Sequence, residues 1–173
     1  MGSFKLFMGL PIVIKATLKK LPKLFSGGRT MIDINAPIVP FEGMGNIKLY
    51  STIEDLSDVI SQPDVNSVIL NKCWIRYDIS NTMMLFFHLK NKKLFKICTQ
   101  EAYVGKLYGV IDTSTQEDDF TKIDPEIIYD DFEEVWESPK GYFIETDAET
   151  GLATWINVFI KEILEENFEE ANW

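Results

Sequence analysis

Acid–base chemistry near neutral pH usually calls on histidine, and this chain has one, His88. His88 stands between Phe87 and Leu89 in an apolar run, with no Cys or His at metal-ligand spacing. A core or sheet-face histidine is therefore expected rather than a catalyst. Cys73 and Cys98 also lie inside apolar runs. They make no disulfide framework, and buried free thiols in a reducing cytoplasm are the expectation. Cys98 falls across a predicted hairpin from Met84–Phe86, which gives no reason to pair it with His88 as a nucleophile.

Carboxylates are abundant, at 27. A glycosidase-like pair needs one acid in an apolar setting with a raised pKa. Here the acids cluster in polar surroundings instead, as Glu117-Asp118-Asp119, Asp130-Asp131 and Glu133-Glu134. No Asp-x-Asp-x-Asp-Gly calcium loop is present. Gly27-Gly28 and Gly43-x-Gly45 lack the lysine and the strand–loop–helix setting of a phosphate cradle. The expectation is a protein with no catalytic residues, no cofactor and no metal.

The stretch with the clearest chemistry is Tyr129-Asp-Asp-Phe-Glu-Glu-Val-Trp-Glu137. Read as a strand from Asp131, it puts Phe132, Glu134 and Trp136 on one face and Asp131, Glu133, Val135 and Glu137 on the other. Like charges stacked along a strand repel by several tenths of a kcal/mol each, and a basic partner would relieve that. Aromatic anchors ringed by charge are also typical of protein interfaces. The competing reading is a solvated edge strand whose charges block edge-to-edge aggregation. Candidate partner-binding residues are Glu117, Asp118, Asp119, Tyr129, Asp130, Asp131, Glu133, Glu134, Trp136 and Glu137.

The overall charge points the same way. Six of the 17 bases and none of the 27 acids fall in residues 1–30, leaving 11 bases against 27 acids, a formal −16, in residues 31–173. Such a field repels nucleic acid and membrane phosphates and attracts basic surfaces. With 46% apolar and 13% aromatic residues, the chain can bury a sizeable core.

Three segments are expected to position these residues. Residues 1–30 are a basic, apolar extension; Leu6–Ile14 is too short to span a bilayer and fits a signal peptide poorly. Residues 31–104 form a first unit. In it Ile47–Tyr50 is a strand, Ser51-Thr-Ile-Glu54 caps a helix with Ile53, Leu56, Val59 and Ile60 on one face, and Pro63 stops it. A β-meander follows: Val68–Leu70, Cys73–Ile79, Met83–Leu89, then a hairpin over Lys90–Lys93 to Leu94–Cys98. Residues 105–173 repeat this order. Gly105–Ile111 is a strand, Ser114-Thr-Gln-Glu117 a second cap, and Pro125 closes the helix. Strands then cover Asp131–Glu137, Tyr142–Thr146 and Leu152–Ile160, with a turn at Asp147–Gly151. The tail, Glu162 to Trp173, reads as a short acidic helix that docks weakly. The fold class is α+β: two related helix-plus-antiparallel-meander units forming one sheet-dominated domain, with an internal duplication.

On Gly45-Asn-Ile-Lys-Leu with Ser51-Thr-Ile-Glu-Asp-Leu, and Gly105–Ile111 with Ser114-Thr-Gln-Glu-Asp, the chain resembles the tandem helix-plus-sheet inhibitors of the β-lactamase-inhibitor-protein type over about residues 43–160. With Trp74-Ile-Arg-Tyr and Lys140-Gly-Tyr-Phe-Ile-Glu-Thr-Asp in a small acidic domain, it also resembles bacterial immunity proteins of polymorphic or contact-dependent toxin systems. The basic extension and the lack of paired cysteines depart from these patterns. The resemblance implies a cytoplasmic, non-enzymatic immunity protein that binds a cognate toxin tightly; with the −16 charge, the expected toxin has a basic surface, such as a nuclease, and is neutralised by occlusion through the acidic surface. The alternatives are a membrane-associated scaffold or adaptor anchored by residues 1–30, and a hydrolase using a carboxylate pair.

Overall fold

The computed structural model describes residues 31–173. The expectations about residues 1–30, including membrane contact, lie outside the described residues. Two antiparallel sheets organise the rest. A small one pairs β1 (Gly43–Met44) with β2 (Ile47–Lys48). The large one has eight strands: β3 (Val65–Ile69), β4 (Trp74–Ile79), β5 (Met83–His88), β6 (Leu94–Thr99), β7 (Ile128–Asp130), β8 (Val135–Ser138), β9 (Tyr142–Thr146) and β10 (Ala153–Phe159). Their spatial order is β3-β4-β5-β6-β10-β9-β8-β7. Two four-strand meanders thus meet through their last strands, with Asn157 opposite Cys98. β3 and β7 are the outer edges. Among the described residues, helix is limited to single turns, and no helix is long and apolar enough to cross a membrane.

The sheet follows from the two-residue period of its strands. In β4, Ile75, Tyr77 and Ile79 are buried while Trp74, Arg76 and Asp78 on the opposite face are half-buried. β5 is buried along its whole length, as expected for a near-continuous apolar run in an interior strand. The predicted hairpin places Met84 opposite Cys98, and both cysteines are buried and free. Leu49, Leu56, Val59, Leu107, Ile111 and Phe120, from segments between strands, join the sheet's buried residues in one core.

Several local expectations are corrected. The first cap is displaced by one residue. Thr52 N–H and its hydroxyl donate to the Asp55 carboxylate at 2.8 and 2.9 Å, and Asp55 N–H donates back to Thr52 Oγ1 at 3.1 Å. The helix it leads to, α1, covers only Ser57–Ile60. Ser114 caps no helix, because its amide and hydroxyl both turn to the Asp112 carboxylate, at 2.9 and 2.6 Å. A 3-10 turn over Glu117–Asp119 leads instead into α2 (Phe120–Ile123). Gly105–Ile111 is not a strand. Tyr108 and Gly109 take positive φ, and the Leu107 and Ile111 amides donate to each other's carbonyls around the turn. Asp131–Glu137 is not one strand either. Asp131–Glu134 is the turn between β7 and β8, with Glu134 at φ +56°.

The tail docks firmly, as two 3-10 turns over Lys161–Leu164 and Phe168–Glu170 rather than a helix. Phe168 is 3% exposed. Its ring stacks on Trp173 at 5.4 Å and meets Phe95 edge-on at 5.3 Å.

Candidate functional site

The acidic residues gather at the β7 edge, but not as one strand face. In residues 117–137 there are 10 acids and one base, Lys122. Trp136 in β8 joins the parts. Its ring meets Tyr129, directly opposite in β7, at 5.3 Å and Phe120 of α2 at 5.8 Å. Its indole N–H donates to Glu117 Oε2 at 3.2 Å, and Thr146 Oγ1 donates to the same oxygen at 3.4 Å.

The ten candidate residues divide by what already occupies them. Glu117 is half-buried and committed to Trp136. Asp119 is paired with Lys122 Nζ at 2.5 Å. Asp130 shapes the hairpin turn by accepting from the Phe132 and Glu133 amides at 2.8 and 3.1 Å. Glu137 is half-buried, and burial followed by the charges of Asp130 and Glu133 pushes its carboxyl above the usual range. Glu133 and Trp136 are half-buried. Asp118, Tyr129, Asp131 and Glu134 are exposed. Sequence alternation omitted Ile128 and misplaced Phe132, which are 66% and 72% exposed. The open part of the edge is therefore Ile128, Tyr129 and Phe132 among the carboxylates of Asp131 and Glu134. A turn signal in Asp130-Asp131 could have found it, since Asp favours turns by capping the amides that follow.

Asp124 anchors this edge from behind. Its side chain is fully buried and accepts from Ser138 Oγ, Tyr142 Oη and Lys140 Nζ, each at 2.6 Å, and from the Glu126 amide at 3.0 Å. Burial alone would raise its pKa, but the donors from Lys140, Ser138, Tyr142 and Glu126 together hold it well below the carboxylate range. The hub fixes the turn that feeds β7.

Three other places carry titratable or ligating groups. A shallow groove of about 300 Å³ runs between Met31, Ile32, Val59, Val65 and Ile79 and carries two carboxylates, Asp58 and Asp64, but no His, Cys or Lys. On the sheet, Glu145 is pushed up by burial, opposed by Lys96 and by the Asn157 amide that donates to it at 3.2 Å. Glu137 and Glu145 are diagonal neighbours across β8–β9, but neither charge contributes to the other's shift.

The third place is His88. Sequence spacing gave it no partners, yet Cys73 Sγ, a ring nitrogen of His88 and a Glu169 oxygen all lie within 4.8 Å of one another. Three elements bring them together: the residue before β4, the end of β5 and the C-terminal turn. The Lys90 amide donates to His88 Nδ1 at 3.2 Å, so the ring proton is on Nε2. Glu169 Oε2 lies 3.7 Å from that nitrogen and a backbone amide occupies the other, whereas a nucleophile–base–acid triad needs a nucleophile on one ring nitrogen and an acid on the other.

Compared with known protein families, curated proteins and solved structures, the chain matches none.

Proposed function

We propose that this chain is a non-enzymatic protein-binding module whose β7 edge engages a basic protein surface. The observation that carries the reading is the exposure of Ile128, Tyr129 and Phe132 at 66%, 43% and 72%, beside the open carboxylates of Asp131 and Glu134. Apolar anchors of this size are ordinarily buried at the centre of an interface, while surrounding charge steers association and selects the partner. With a formal −16 on residues 31–173, the preferred partner is cationic. A cytoplasmic immunity protein that occludes a basic toxin, such as a nuclease, combines these properties. The rigid sheet behind the edge supports stoichiometric inhibition, since little ordering is required on binding.

The two meanders are further read as related units. The support is their matched four-strand order about the β6–β10 seam; the different turn chemistry at Thr52 and Asp112 opposes it.

The test is site-specific photo-crosslinking in the native cells. A photoreactive phenylalanine analogue at Phe132 should capture one basic protein in a 1:1 adduct. The same analogue at Val104, 51% exposed and remote in sequence, should capture none. Equal or no adducts at both positions would refute the assignment.

A further inference from the structure

We infer that Cys73, His88 and Glu169 form a binding site for a zinc-like divalent cation that ties the C-terminal tail to the end of the sheet. This site is separate from the acidic edge and does not depend on the function proposed for it.

The fold itself brings the three together. His88 lies directly opposite Trp74 in the β4–β5 pair, which carries Cys73 to the same end of the sheet. The Leu89 amide donates to the Cys73 carbonyl at 2.6 Å and closes that end. Glu169 arrives from the 3-10 turn Phe168–Glu170, fixed by burial of Phe168 and by Lys90 Nζ, which donates to the Glu169 carbonyl at 3.1 Å.

Two observations point to a ligand. His88 is 0% exposed, yet its Nε2 has no hydrogen-bond partner; Glu169 Oε2 is 3.7 Å away, too far for one. A buried polar atom left unpaired, 3.7 Å from a carboxylate oxygen and on a ring clustered with a thiol, is a position a cation would occupy. The ligand chemistry also fits. Thiolate, imidazole and carboxylate are the donor types of zinc, and ligands around a tetrahedral zinc stand roughly 3–4 Å apart. A separation within 4.8 Å therefore needs a closure of about 1 Å, to which the exposed Glu169 side chain contributes by moving toward the other two ligands. Residues 1–30 contain no Cys, His, Asp or Glu, so their side chains add no ligand of these types.

Loading has one defined cost. Metal on Nε2 moves the ring proton to Nδ1, and the Lys90 amide loses its acceptor there. This supplies a diagnostic signal.

The full-length, untagged, reduced chain is titrated with Co²⁺ alone and Zn²⁺ alone at pH 7.5. The expected result is one equivalent bound, with a thiolate-to-Co²⁺ charge-transfer band in the near ultraviolet that Zn²⁺ abolishes. The ¹⁵N signals of His88 should change from the Nε2–H to the Nδ1–H tautomer. Cys73→Ser should remove the band, and Glu169→Gln should weaken binding by at least about tenfold. Glu169 is 54% exposed, so its variant tests the site even where the Cys73 variant misfolds. Absence of the band, an unchanged His88 tautomer, or a Glu169→Gln affinity equal to wild type would overturn the assignment.

Discussion

Removing the Asp124 carboxylate should cost stability far beyond its size. Asp124→Ala leaves Ser138 and Tyr142, at 1% and 0% exposure, with hydroxyls that have lost their acceptor. Each buried orphan costs about 1–3 kcal/mol. Lys140 is 40% exposed and regains water, so loss of its ion pair adds little. The expected loss is about 4 kcal/mol, measured by urea unfolding followed through tryptophan fluorescence and far-ultraviolet circular dichroism. Asp124→Ala combined with Tyr142→Phe should fall short of additivity by about 1–2 kcal/mol, because the second change removes one orphan. The pH dependence has a fixed sign. Asp124 is held low in the fold and titrates near about 3.9 when unfolded, so its stabilisation is present above that value and lost as pH falls below it. The difference between wild type and Asp124→Asn should be flat from neutral pH to about 5 and shrink below about 4. A loss under about 1 kcal/mol for Asp124→Ala, or strict additivity, would refute the hub.

Two further predictions concern the tail and the hairpin turn. Phe168→Ala should cost about 3 kcal/mol in chemical denaturation, because its ring is 3% exposed among Phe95, Trp74 and Trp173; Leu164→Ala, at 46% exposure, should cost under about 0.5 kcal/mol. Glu134→Gly should stabilise the fold by roughly 0.5 kcal/mol, since it relieves φ +56° at a non-glycine residue and offsets the entropy glycine adds to the unfolded chain. A melting temperature equal to or below wild type would contradict that reading of the turn.

Strand periodicity made the sheet legible and the turns obscure. The apolar run Met83–Leu89, the polar turn Lys90–Lys93 and the partner Leu94–Cys98 gave the β5–β6 hairpin and set Cys98 across from Met84–Phe86; the structure pairs it with Met84. Alternation failed at Asp131–Glu134, because aspartate there caps a turn and the two-residue period stops. The Ser-Thr-x-Glu pattern misled for a related reason. Thr52 and Asp55 are an equally good reciprocal pair one residue on, and Asp112 outcompetes the downstream helix for Ser114. The tail's weak apolar content hid its anchoring, which comes from the stack of Phe168 on Trp173, five residues apart, and from Lys93 Nζ donating to the Trp173 carbonyl at 2.8 Å. Charge marked the stretch around the β7 edge, but alternation counted Phe132 as part of a strand face and passed over Ile128; the turn at Asp131–Glu134 accounts for the exposure of Phe132. The Cys73–His88–Glu169 cluster is invisible to spacing, because its members lie 15 and 81 residues apart along the chain.

Beside the exposed apolar anchors, the open charges of the β7 edge should steer the partner in. The direct measurement is the association rate of the partner captured at Phe132 with the full-length chain and with Asp131→Lys/Glu134→Lys, over a range of ionic strength. Both side chains are exposed and make no ion pair among the described residues, so the fold should be unaffected. Association of the variant should be at least about tenfold slower at low salt, with a flatter salt dependence and convergence at high salt. Equal rates and equal salt dependence would contradict that steering.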